Sequence, residues 1–481
     1  MKKIHNLLVM AISCFLLLGT IYTGSAVAAT ITVNTTDDEL NADGDCSLRE
    51  AVDSANRNLG IDACTQGEAA LDTIIIPAGT YQLVGVTGDD ANVFGDLDIL
   101  NDVLAPTAGP LGINGGPLLI NGAAASTTII RGTGGGANDH VIQVFSADSS
   151  VFIQNVTIEN GSGGLGAGIV NGSGTRIGGN LTLQDCVIQN NITNVDGGGL
   201  YTNAGNVVIT RCTFNNNEAT NRSGGGIVSF AGGITVTDST FSGNTARSGG
   251  GILSGGNLSV KNSTFTSNTA ESGGGITLSN GNSLIANSTI SGNTATNQGG
   301  GGIYVAAAGI LNTYNTTVSG NTSLAGTGGG IHIVAAGQNH LRNTIVANSI
   351  VGLDCFDSSA PNTNINNLIE DNTCSPSLSG DPLLSALASN GGNTQTMALG
   401  AGSLAIDAGD AGVCSNAATV NSLDQRGTVR PAACDIGAYE LIAAAVAQAI
   451  PTLSEWGTIL LSVLLGLFAF AKMGNRREIQ N

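Results

Sequence analysis

The stretch FSGNTARSGGGI, residues 241–252, returns as FTSNTAESGGGI from Phe265 and as ISGNTATNQGGGGI from Ile290. Aligned on its first residue, the chain shows a column of Ile158, Ile188, Phe214, Phe241, Phe265, Ile290, Val318 and Ile345, spaced 24 to 30 residues apart. Three residues downstream stand Asn191, Asn217, Asn244, Asn268, Asn293, Asn321 and Asn348. A second apolar column, Ile169, Leu200, Ile227, Ile252, Ile276, Ile303 and Ile331, nearly always follows two or three glycines. A third segment alternates inward residues, Ile234 and Val236 in one unit, Leu258 and Val260 in the next. Self-similarity at such a period marks a solenoid.

Each unit therefore predicts three short period-2 strands, with turns at Asn/Asp, at Asn-Thr-Ala and at the glycine run. That is the pattern of an all-β, right-handed parallel β-helix, the pectate-lyase-like solenoid. Coils stacked about 4.8 Å apart place like side chains above one another. One coil cannot offset the entropy of ordering its own residues, so stability comes from stacking. Asn217, Asn244, Asn268, Asn293, Asn321 and Asn348 are expected to form a structural amide ladder, each Asn also tolerating left-handed backbone geometry. Glycine lets adjacent backbones pass closely at the next corner.

The two ends read differently. Lys2 and Lys3, an apolar run and Ala26-Val27-Ala28 have the layout of a secretory signal over residues 1–28. At the other end the apolar run Thr458–Ala471 precedes Lys472, Arg476 and Arg477. As a helix this run spans about 21 Å, short against a hydrocarbon core of about 30 Å. The formal net charge is −19, and five of the cations lie in these ends, so the body disfavours nucleic acid and anionic lipid. Eight cysteines follow the signal segment, and in an oxidising compartment their clustering suggests the pairs Cys46–Cys64, Cys355–Cys374 and Cys414–Cys434. Cys186 and Cys212 are expected to be stacked neighbours, as a thiol ladder or a bridge.

Four resemblances join these readings. Ile450-Pro451-Thr452-Leu453 with Trp456 and Gly457, a short apolar helix and the basic Arg476 and Arg477 resembles the IPTL-CTERM sorting signal (450–477). That resemblance implies a Gram-negative host, an exosortase-type membrane protease as partner, and a transmembrane helix holding the protein at the inner membrane before processing. Cys46-Ser47-Leu48-Arg49-Glu50-Ala51 resembles the namesake motif of the CSLREA domain, giving an entry cap over 30–105 with Arg49 and Glu50 as a structural pair. The FxxN and GGGI repeats, within a β-helix over 106–370, are similar to those of polymorphic outer-membrane adhesins. Gly391-Gly392-Asn393-Thr394-Gln395-Thr396, Asp424-Gln425-Arg426-Gly427 and Asp435-Ile436-Gly437 resemble the choice-of-anchor Q domain, an exit segment over 371–441 before a linker at 442–449.

Chemistry is sparse in this reading. Asp185, Asp196, Glu218, Asp238 and Glu271 do not align into the carboxylate pair a glycoside hydrolase needs. His332 is expected to point outward between Ile331 and Ile333, and His140 and His340 show no partner in the sequence. Asp43 and Asp45, with Asp96 and Asp98, lie in two acidic loops that either hold calcium or are simply solvated. No other cofactor is expected. The expectation is an exported surface or matrix adhesin or scaffold, with a glycan or neighbouring cell-surface ligand. The alternative is a polysaccharide lyase or glycoside hydrolase.

Overall fold

The computed structural model describes residues 28–68, 70–84, 95–100, 116–132, 140–145, 150–174, 178–358, 363–442 and 453–474. Residues 1–27 of the signal segment lie outside these residues. The chain divides into a unit ending at Glu440 and a second unit from Leu441.

The first unit is a parallel β-helix. One coil shows its plan: Ile227–Ser229, Gly233–Thr237, Thr240–Ser242 and Thr245–Ser248. Each strand pairs in parallel with its counterpart one coil on: Ile252–Ser254, Asn257–Lys261, Thr264–Thr266 and Thr269–Ser272. We number these four stacks in that order. The first two form one 20-stranded sheet, because Ile276–Ala286 and Ile303–Tyr314 run through both without a break. The third stack has eleven strands and the fourth seven.

The fourth stack occupies the place where the sequence predicts only a turn. The bend itself is made earlier, and Thr and Ala then return to extended backbone. Ala219, Ala270 and Ala295 are consequently buried, small enough to line a tight corner of the core.

The core columns are in register. Phe214 pairs with Phe241 and Phe241 with Phe265, their rings stacked at 4.8 and 4.7 Å and almost parallel. All three are fully buried, and burying each contributes roughly 1.5–3 kcal/mol. The column continues through Ile290 and Val318 to Val346, not to Ile345 as the spacing suggests. Ile345 instead pairs with Thr317.

That one-residue shift decides the end of the Asn ladder. From Asn191 through Asn217, Asn244, Asn268 and Asn293, each side-chain amide donates to the Oδ1 of the Asn one coil on, at 2.9–3.0 Å, and the ladder ends at Asn321. The same Oδ1 accepts the preceding coil's backbone N–H, as Asn268 does from Asn244 at 3.0 Å. Asn348 is outside the ladder. It is exposed, has φ 58°, and sits one position beyond Ala347, which pairs with Ser319. The left-handed corner thus belongs to the residue before the ladder: Asn216, Gly243, Ser267, Gly292 and Gly320, with Asn348 as their successor. The ladder asparagines keep ordinary backbone and serve as buried donors and acceptors.

Glycine is required at Gly251, where a Cβ would lie 2.6 Å from the Gly275 carbonyl oxygen and 2.9 Å from the Phe265 ring. Cys186 and Cys212 are buried, unbridged thiols, and Cys212 donates its backbone N–H to Ser239 Oγ.

The N-terminal end is closed by Thr30–Thr32, paired with Asp72–Ile76, and by helix α1, Leu48–Arg57. Ser47 and Glu50 form a reciprocal capping box. Cys46 is bridged to Cys64. Arg49 does not pair with its neighbour Glu50, since adjacent helical residues face different ways. Its guanidinium meets Asp38 at 2.7 Å and donates to the Gly95 and Asp96 carbonyls, both at 2.8 Å. At the other end Cys355 is bridged to Cys374.

Replacing Asn268 by Ala strips an acceptor from two Asn244 donors and a donor from the Phe241 carbonyl, all buried. The expected loss is about 2–4 kcal/mol in urea unfolding. Asn348→Gly, which keeps the left-handed corner, should change stability by less than about 0.5 kcal/mol; equal losses at both sites would contradict this assignment of the ladder.

Candidate functional site

Two outer faces of the solenoid differ in what covers them. On the third stack the outward residues Thr264, Thr289 and Thr317 are buried, because the segment after Asn372 folds back along them. Thr264 Oγ1 donates to the Gln395 carbonyl and Thr289 Oγ1 to Gln425 Oε1, both at 2.6 Å. The Ala438 N–H donates to Thr317 Oγ1 at 3.0 Å. The corner residues Asn287, Asn315 and Asn343 add amide bonds to the Leu423, Asp435 and Asp410 carbonyls. Lys261 reaches the Ala418 carbonyl at 2.7 Å. The segment expected to leave the solenoid at its end is therefore a strap along its flank.

The residues that mark this segment in the sequence hold the strap together. Gln425 Nε2 lies within hydrogen-bond distance of Thr264 Oγ1 and Thr394 Oγ1. Arg426 pairs with Asp424 at 2.6 Å and lies 3.6 Å over the Tyr439 ring. Cys414 and Cys434 are bridged. Arg430 and Glu440, almost wholly buried, meet at 2.9 Å, and Glu440 also accepts the Asp435 N–H. Burial pushes the Glu440 carboxyl up to about 7, against the pull of Arg430, and pushes Arg430 down.

The outer face of the second stack is open. Asn180, Asn206, Thr235, Asn257 and Asn282 are exposed there, and Thr182, Thr210, Thr237 and Ser259 are half-buried. The amides are braced between coils: Asn282 donates its N–H to Asn257 Oδ1, and Asn312 its side-chain amide to Asn282 Oδ1. Among the described residues, no outward position of these strands carries a carboxylate. Near its N-terminal end the polar face gives way to Leu71, Leu119 and Phe152.

Two of the isolated carboxylates fall into local ion pairs. Asp185 is held by Arg211 at 2.7 Å, which lowers its pKa, and Glu271 lies 3.4 Å from Arg247. Asp196 is buried and accepts the Ser223 N–H. His332 lies on the outer side of the first stack but is covered between the Tyr304 and Phe356 rings, with Nδ1 3.0 Å from Thr327 Oγ1. Burial lowers its pKa. His340 has a partner the sequence does not reveal, Thr363 Oγ1 at 2.8 Å.

The calcium candidates separate. Glu39, Asp43 and Asp45 bring carboxylate oxygens within 4.8 Å of one another, and so do Asp45, Glu50 and Asp62. Desolvation and mutual repulsion raise the pKa of Glu39 and Asp45. Such oxygens are the donor type for a hard divalent cation. Asp96 and Asp98 do not join them. Both are buried, their backbone carbonyls held by Arg49 and by Asn56, so this end of the second acidic loop is not solvated.

In the second unit, helix α3 spans Leu453–Gly474, and α2 is the short Ala411–Cys414 in the strap. Leu453, Trp456 and Gly457 fall in the first turns of α3, whereas Ile450, Pro451, Thr452, Arg476 and Arg477 lie outside the described residues. Among the described residues no helix is long and apolar enough to cross a membrane. The transmembrane helix expected of the tail is thus not shown among these residues.

Residues 140–313 and 248–374 match a protein-family model described as a right handed beta helix region, and residues 448–477 match the IPTL-CTERM motif. No curated protein matches the chain. A solved structure titled "Crystal structure of pectate lyase Pel9A" is 15% identical, with a TM-score of 0.48, covering 87% of this chain and 97% of that one. The family-model match and the parallel stacking make the solenoid a right-handed parallel β-helix, and the chain carries the tail motif of exported, surface-sorted proteins.

Glu440 supplies a pH test. Its pKa lies at about 7 in the fold against an ordinary 4.5, so the folded state holds a proton that the unfolded chain has released. Its contribution is complete below the ordinary value and is lost as pH rises through about 7. Between pH 5 and pH 8, wild type should lose about 1–2 kcal/mol more stability than Glu440→Gln, measured by paired urea titrations. An identical pH dependence in the two proteins would contradict the raised carboxyl.

Proposed function

We propose that this chain is an exported, non-catalytic surface or matrix scaffold of adhesin type. A cleaved signal peptide exports it, and its tail presents it to an exosortase-type protease in a Gram-negative envelope. On this reading the α1 cap is a CSLREA-type module and the strap a choice-of-anchor Q-type module, both structural. The open face of the second stack meets an extracellular glycan or a neighbouring cell-surface ligand.

The observation that carries the proposal is the contrast between the two faces. One is sealed by the strap; among the described residues the other presents amides and hydroxyls around an exposed Val208, with no outward carboxylate. Hydroxyls and amides suit recognition of uncharged polar ligands, whereas glycoside hydrolysis needs two carboxyl groups flanking the scissile bond.

The test is turnover. The full chain, purified in detergent, is incubated with neutral and acidic polysaccharides, with and without calcium, and new reducing ends are counted over time. Release no greater than that of a heat-inactivated control is expected. Sustained release on any polysaccharide overturns the scaffold reading in favour of a carbohydrate-active enzyme.

A further inference from the structure

The apolar break in the open face has a shape of its own. Phe152 lies in register between Leu119 on the preceding coil and Thr182 on the following one. Gln154, two residues along on the same face, lies in register between Asn121 and Gln184. Leu71, Leu119, Phe152, Gln154, Thr182 and Gln184 line an open cavity of about 180 Å³. Drug-sized ligands occupy about 300–1,000 Å³, so this depression takes a single ring rather than a long segment.

The two amides are positioned before any ligand arrives. Gln154 Nε2 donates to Asn121 Oδ1 at 3.1 Å, and Gln184 Nε2 to Asp185 Oδ2 at 3.2 Å. Among the described residues, neither carbonyl oxygen takes a hydrogen bond from the protein, and each amide keeps a second N–H. The cavity therefore combines an aromatic and aliphatic floor with two braced donor–acceptor groups on adjacent coils.

We propose that this cavity is a subsite for one neutral sugar residue of a polysaccharide. The inference rests on the surface-binding reading above and names the ligand class for that face. The C–H face of a pyranose ring covers Phe152 and Leu119, and its hydroxyls exchange hydrogen bonds with Gln154, Gln184 and Thr182. A uronate is disfavoured on charge. Among the described residues no cation lines the cavity, and Arg211, which shares Asp185 with Gln184, is held by that carboxylate.

Affinity electrophoresis of the full chain in detergent tests this, with gels containing hydroxyethylcellulose, galactomannan or arabinoxylan, and one containing polygalacturonate. Retardation in at least one neutral gel is expected, with the dissociation constant rising at least fivefold in Phe152→Ala and in Gln154→Ala/Gln184→Ala. All these side chains face outward, so unchanged thermal unfolding is expected, and a variant that loses stability is replaced by Phe152→Leu. No retardation in any neutral gel, or retardation in polygalacturonate alone, overturns the proposal. Neutral binding that survives all these variants overturns the subsite yet leaves a glycan-binding surface standing elsewhere. Reducing-end release is read separately, so failure of the scaffold reading is distinguishable from failure of the subsite.

Discussion

The amide ladder from Asn191 to Asn321 is the constraint on which the solenoid depends. At each step one Oδ1 accepts both a side-chain and a backbone donor from the coil before. A coil displaced by one residue would leave these buried groups without partners, a cost of about 1–3 kcal/mol each. The ladder therefore reinforces the register that the alternating apolar columns already favour, since a one-residue slip would also turn every inward side chain outward. With register fixed, Phe rings stack on Phe rings, and glycines meet glycines at the corner where no Cβ fits.

Register also determines what each outer face presents. The same parity that turns Phe241 and Phe265 inward turns Thr264, Thr289 and Thr317 outward in a regular hydroxyl row, which the strap occupies. On the second stack the parity that buries Leu258 and Val260 turns Asn257 and Ser259 outward. The architecture thus produces one docking face and one open face from a single repeating unit.

The repeat was legible in the sequence because it is periodic, and the three bridged cysteine pairs because each closes a short loop. Legibility failed where a decoy or a long-range contact intervened. Ile345 and Val346 are both apolar, and the Asn three residues after Ile345 made the wrong one look aligned. The Asn-Thr-Ala segment reads as a turn, yet the turn is completed one residue before it. Arg49 suggested Glu50 by adjacency, whereas its partner Asp38 lies across the cap. The strap shows no periodicity, and its bonds to the solenoid join residues up to 162 apart in sequence. The subsite is hidden for the same reason, since Phe152 becomes notable only beside Leu119 and the glutamines of two coils.

The back-folded strap has a mechanical consequence. The first unit ends at Glu440 beside Arg430, on the flank of the solenoid rather than at its last coil. Any pull transmitted from the tail is met first by this buried ion pair and by the strap's side-chain bonds to several coils at once. Force entering in this way loads the coils in parallel instead of peeling the terminal strand from its neighbour. A solenoid loaded through its final coil would unravel one turn at a time, whereas one loaded through this strap would be pulled at its side.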